Sequence, residues 1–149
     1  FAHIDNLDDF FKNIKKILVS KGVLIIEVPY FLNLIKNLEY DTIYHEHLSY
    51  VTLLPLIKYL RKKNLKIFDV EEKDIHGGSL RVFITKNNNF KTKKRLLDLI
   101  KVEKKANLNN LGILKKFSKR VRKNRFEITS ILTNLKKKKK KNCCIKHTC

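Results

Sequence analysis

Apolar positions fall into two periods along this chain. Leu7, Phe10, Phe11, Ile14, Ile17 and Leu18 recur at helical spacing, which predicts an amphipathic helix over residues 5–21. Asp5 or Asn6 stands where an exposed backbone N–H needs an acceptor, and Asp8 and Asp9 lie in the first turn, where the helix dipole favours negative charge. Gly22 stands just past the end, as a left-handed cap requires. Val23–Val28 is a nearly continuous apolar run, which predicts a buried parallel strand ending at Pro29. Residues 30–51 show no clear period. Leu53–Lys63 predicts a second helix, with Thr52 as its cap and Pro55 tolerated in the first turn. Leu65–Val70 and Ser79–Thr85 read as strands with no helix between them, so they are expected to be antiparallel neighbours. Residues 91–107 and 109–141 read as two further helices, the second with an apolar stripe through Leu111, Leu114, Phe117, Val121, Ile128, Leu132 and Leu135. The pattern implies an α/β fold: a parallel sheet ending in an antiparallel edge hairpin, followed by long helices.

Charge divides the chain. Residues 1–82 hold 12 basic and 11 acidic residues, whereas residues 83–149 hold 22 and 3. The first part is a near-neutral globular sequence. In the second part lysine is accompanied by Asn, Ile and Leu, which two readings fit: compositional drift on a solvated helix face, or attraction to a polyanion. Interleaved aromatics, the usual companion of a phosphate-binding surface, are lacking, so nucleic acid is not expected as a partner. No stretch approaches the ~18 apolar residues of a membrane span, since Gly22 to Ile35 carries Glu27, Pro29 and Asn33. The first residues lack the basic and apolar regions of a signal peptide, and a cytoplasmic location is expected. The chain contains no Met, which suggests a piece of a longer protein.

The last residues carry their own signal. Lys136–Lys141 is a lysine run, and Cys143, Cys144 and Cys149 surround His147. Cys-Cys-x-x-His-x-Cys offers four soft ligands, although adjacent cysteines at a chain end form a poor scaffold for zinc. A run of lysine codons also invites a reading-frame slip, so residues 142–149 are expected to be a non-native or disordered tail with no metal.

Two clusters could do chemistry. Tyr44-His45-Glu46-His47 combines a base that titrates near neutral pH, a carboxylate that can tune it and a hydroxyl that can donate to an oxyanion. Those are the parts that proton abstraction beside a carbonyl requires. On a helical turn Tyr44 and His47 share a face; on a strand His45 and His47 do. A structural hydrogen-bonded cluster and a metal pair remain open alternatives. In Asp74-Ile75-His76-Gly77-Gly78-Ser79-Leu80-Arg81, the paired glycines allow positive φ as an anion-binding turn would, with Ser79 and Arg81 as phosphate partners. An ordinary turn with a solvent-facing arginine explains the same residues. His3 precedes the first helix, where a preceding strand would place it at a carboxyl end, the place where open α/β sheets bind ligands.

Phe1-Ala2-His3-Ile4-Asp5, Glu27-Val28-Pro29-Tyr30, the string from Asp41 to Tyr50 and His76-Gly77-Gly78-Ser79-Leu80-Arg81-Val82 occur in this order. Together they resemble S-adenosylmethionine-dependent C-methyltransferases acting on nucleotide-linked keto-deoxysugars. The resemblance implies the end of a Rossmann-like methyltransferase domain over residues 1–90 and the helical start of a substrate domain over residues 91–141. It implies His47 as general base, with Glu46 beside it and Tyr44 near the sugar ketone. It places His3 in the same pocket, Phe1 and Ala2 near the methyl donor, and His76, Gly77, Gly78, Ser79 and Arg81 on the substrate side. S-adenosylmethionine is the implied cofactor, with its Gly-rich loop upstream of this chain, and zinc is expected only in an upstream module. Rival readings are an O- or N-methyltransferase on the same fold, or a basic polyanion-binding module.

Overall fold

A computed structural model describes residues 1–75 and 77–137. Packing divides the chain into a unit over residues 1–110 and a second unit from Leu111 onward. The first helix, α1, spans Leu7–Ile17, and the Asn6 side chain caps it by accepting from the Asp9 amide at 3.0 Å. It ends earlier than the periodicity suggests because Leu18 is already extended. Gly22 is not a left-handed cap. Its Cβ would fall 2.8 Å from Leu18 Cδ1 and 3.0 Å from Val19 O, so close packing, rather than positive φ, favours a glycine there.

Three strands follow: β1 (Leu24–Pro29), β2 (Lys66–Lys73) and β3 (Ser79–Thr85). Their order is β1-β3-β2, and both neighbouring pairs are antiparallel. This corrects one expectation: the first strand makes no parallel ladder. The expected antiparallel hairpin does end the sheet, with β2 at the edge and β3 in the centre. The reason lies in the side chains: Leu80, Val82 and Ile84 are fully buried, and flanking strands on both sides shield them. In register with them stand Val28, Ile26 and Leu24 of β1. β1 is correspondingly one-sided: Ile26 and Val28 are buried, but Ile25 is 54% exposed. Since β1 and β2 are each antiparallel to β3, they run in the same direction.

The stretch without a period contains α2 (Phe31–Asn37) and a 3-10 turn at Tyr40–Thr42, both too short for a spacing argument. The α3 helix (Leu53–Lys62) matches its expected place and buries Leu53, Leu56 and Leu60. The α4 helix (Lys94–Ala106) adds Leu96 and Leu99 to the same core, together with Phe11 and the inner residues of the sheet. The opposite face of the sheet carries a charged rung. Arg81 aligns with Glu27 on one side and Glu71 on the other, at 2.8 and 3.7 Å. Arg95 reaches Asp69 at 2.5 Å and Glu71 at 3.0 Å. The Arg95 guanidinium holds the Asp69 carboxyl below the usual carboxylate range, against the opposing effect of burial.

The second unit contains α5 (Leu111–Lys137), with nine basic residues and one acidic residue, Glu127. Lys138–Lys141 and the Cys143, Cys144, His147 and Cys149 group lie outside the described residues, as does the tail expected at residues 142–149.

Candidate functional site

The site is built on the segment between α2 and α3. A turn at residues 44–47 closes when the His47 amide donates to the Tyr44 carbonyl at 3.1 Å. That turn brings Tyr44 and His47 to the same side, the helical-turn alternative of the two. Their rings lie 4.2 Å apart, and the Tyr44 hydroxyl is 3.1 Å from His47 Nε2. His47 Nδ1 lies 2.8 Å from the Thr42 carbonyl oxygen. A carbonyl only accepts, so Nδ1 carries the proton in the neutral ring and Nε2 keeps the lone pair. Tyr44 then donates to Nε2. The Tyr50 hydroxyl also donates to Thr42 O, at 3.4 Å, and the Tyr50 ring lies 6.3 Å from that of His47.

The amino-terminal residues join this loop through the backbone. The Leu48 amide donates to Ala2 O at 2.9 Å, and the exposed His3 ring stacks edge-on against His47 at 5.2 Å. Ala2 is buried, and Phe1 packs its ring against Phe10 and Phe11. On the other side, Phe31 lies 6.2 Å from Tyr50, and Phe31 N donates to Val51 O. The cluster therefore sits beside the carboxyl end of β1, half-exposed, with its ring outside the packed interior.

Glu46 departs from the expected arrangement. Its nearest ionic partner is His45, at 3.9 Å, and both side chains are open to water at 59% and 89% exposure. The His47 imidazole, the Thr42 carbonyl and the Tyr44 hydroxyl are thus brought together, while Glu46 stands outside the trio.

The second cluster is held by other partners. Gly77 and Gly78 have φ of +79° and +122°. A Cβ on Gly77 would lie 2.4 Å from the Glu39 carboxyl, and one on Gly78 would lie 2.5 Å from Asn33 Nδ2. Both glycines are explained by this close approach. The Asn37 amide donates to Glu39 Oε1 at 2.9 Å and to Gly77 O at 3.4 Å, tying the turn to the end of α2. An anion over this turn would face the Glu39 carboxylate. Ser79 donates to Ile75 O at 3.2 Å, and Arg81 is committed to Glu27 and Glu71. His76 lies outside the described residues. Among the described residues no His, Cys, Asp and Glu side chains group as a metal site, and no helix is long and apolar enough to cross a membrane.

Sequence reasoning missed Thr42 and Tyr50 as parts of the site, although both lie within the string quoted from Asp41 to Tyr50.

Comparison with known proteins adds an independent finding. Residues 74–145 match the family profile of the C-methyltransferase C-terminal domain. The chain is also 40% identical over 83 residues to the C-methyltransferase NovU of Streptomyces niveus, covering 56% of this chain and 20% of that protein. The chain thus spans about a fifth of the curated relative it matches. Both findings accord with the resemblance to C-methyltransferases.

Proposed function

We propose that this chain carries the proton-abstracting part of a C-methyltransferase whose substrate is a nucleotide-linked keto-deoxysugar. The observation that carries the proposal is the fixed His47 ring, with Nδ1 held by Thr42 O and the basic Nε2 directed at the Tyr44 hydroxyl. Carbon beside a ketone becomes a nucleophile only when its proton leaves, so a positioned base is the first requirement. In the proposed step, Nε2 takes the proton, the C–H electron pair moves into the enolate, and the ketone oxygen becomes the oxyanion. Tyr44 donates to Nε2 in the resting arrangement. Substrate therefore displaces this bond, and the freed hydroxyl donates to the oxyanion instead. His3, edge-on to His47, supplies a second imidazole beside it.

S-adenosylmethionine, implied by the resemblance, would supply the electrophilic methyl group. Phe1 and Ala2 do not fit it as a site by themselves: they offer a ring already packed on Phe10 and Phe11 and a carbonyl already taken by Leu48. No step is assigned to them. A contact from Arg81 to a nucleotide would cost its Glu27 and Glu71 partners, and a phosphate at Gly77 would meet Glu39. The proposal therefore rests on His47, Tyr44 and His3 rather than on the strip from His76 to Arg81.

The test is turnover of a nucleotide-linked keto-deoxysugar by the complete polypeptide. His47→Asn is expected to lower the rate by roughly 10²–10⁴. Tyr44→Phe is expected to lower the rate while leaving the base in place. Wild-type turnover by His47→Asn would remove His47 from the mechanism, and methyl transfer to oxygen or nitrogen of the same compound would favour the rival chemistry.

A further inference from the structure

Helix α3 begins three residues after Tyr50, and it lacks a cap of its own. Thr52 has the backbone geometry of an N-cap but makes no side-chain bond. The first turn of a helix leaves several N–H groups without an intrahelical partner. Here Pro55 has none to offer, and the Leu56 amide reaches Thr52 O at 3.4 Å. The remaining two, Leu53 and Leu54, both donate to one carboxylate from a distant helix. Glu103 Oε1 accepts from Leu53 N at 2.5 Å and Oε2 from Leu54 N at 2.9 Å. Oε1 also accepts from the Tyr30 hydroxyl at 2.8 Å. Glu103 is only 3% exposed, so this side chain sits in the core with three donors around it.

Both routes out of Glu103 lead to the candidate site. Through Leu53 and Leu54 it fixes the start of α3, hence the exit of the segment that carries Tyr50 and Val51. Through Tyr30 it fixes the end of β1, where Tyr30 makes a parallel bridge to Val51 and Phe31 N bonds Val51 O. Tyr50, between these anchors, contacts Phe31 and shares the Thr42 carbonyl with His47. A buried carboxylate is costly unless its charge is hydrogen-bonded, and here three donors compensate it; Leu at 103 would leave all three without an acceptor.

We propose that Glu103 is a positioning residue for the His47 cluster: from within the segment matched to the C-methyltransferase C-terminal domain, it holds the entry and exit of the loop that aims the imidazole. The proposal rests on the function assigned to His47 above, but its test does not require turnover. The chain is labelled with ¹⁵N-histidine, and the ring nitrogens are read by long-range proton–nitrogen correlation. His45, open to water, serves as the internal reference for an unconstrained ring.

In the wild-type chain, His47 is expected to show the fixed Nδ1–H form. Glu103→Gln keeps the shape but turns an amide N–H toward Leu54 N–H, and the His47 nitrogens are expected to move toward the averaged values of His45. Adding Thr52→Asp gives Leu54 a local acceptor and is expected to restore the wild-type signals. Val82→Ala, a core change away from the loop, is expected to lower stability and leave His47 unmoved. Unchanged His47 signals in folded Glu103→Gln would overturn the proposal. An equal shift in Val82→Ala would overturn it too, since general loosening would then explain the effect. Intact coupling in a protein that fails to abstract protons would instead overturn the functional reading alone.

Discussion

Gly77→Ala is the substitution for which the structure yields the most explicit magnitude. Two penalties arise. The residue sits at φ +79°, where an L side chain costs about 1–2 kcal/mol. The new Cβ would also fall 2.4 Å from the Glu39 carboxyl, so Glu39 must move and release its bond from Asn37, an exposed contact worth about 0.5–1 kcal/mol. Losing a glycine also narrows the unfolded ensemble, which offsets about 0.4–1 kcal/mol. The expected net loss is about 1.5 kcal/mol. A double-mutant cycle separates the parts: with Glu39→Ala in the background, Gly77→Ala should cost only the backbone strain, leaving a coupling of about 1 kcal/mol between the two sites. Urea unfolding followed by far-ultraviolet circular dichroism at neutral pH measures all four proteins. A Gly77→Ala loss below about 0.5 kcal/mol, or one that Glu39→Ala leaves unrelieved, would refute the claim that packing against Glu39 requires the glycine. The alternative, an anion cradle, predicts that phosphate raises the unfolding midpoint; the packed turn predicts no such rise.

The remaining expectations concern the frame around the site. Leu60→Ala empties a fully buried position in α3 and should cost about 2–5 kcal/mol in the same urea assay. Asn6→Ala removes the acceptor for Asp9 N and should cost about 1 kcal/mol, visible as a lower melting temperature. Asp69 has its folded pKa depressed by Arg95, so its contribution is present above the ordinary carboxylate value near 4 and is lost as pH falls through the depressed one. The stability gap between wild type and Arg95→Ala should therefore stay constant above about pH 5 and close at lower pH, as read by urea midpoints across a pH series.

What was legible in the sequence divides by range. Local signals worked: the apolar spacing of Leu53, Leu56 and Leu60 marks α3, Asn6 marks a cap, and Gly77-Gly78 between two β-rich runs marks adjacent antiparallel strands. Long-range pairing did not. Nothing in Val23–Val28 says that its partner is β3, because a strand's own pattern carries burial but not the identity of its neighbour. The run also looked buried on both faces, and Ile25 shows that one face is open. That Tyr44 and His47 offer a hydroxyl and an imidazole could be read from residue type, whereas their mutual geometry depended on a turn that spacing alone left undecided. The resemblance implied Glu46 beside His47, yet in the turn it faces His45. Glu103 serves donors about 50 and 73 positions away, a link that no window along the chain can contain.

Deuterium loss from the carbon beside the ketone reports on proton abstraction before any methyl group moves. A nucleotide-linked keto-deoxysugar deuterated at that carbon, followed by proton NMR with the complete polypeptide and no methyl donor, should exchange its label at a rate that collapses in His47→Asn. Exchange that proceeds equally well in His47→Asn would contradict the account.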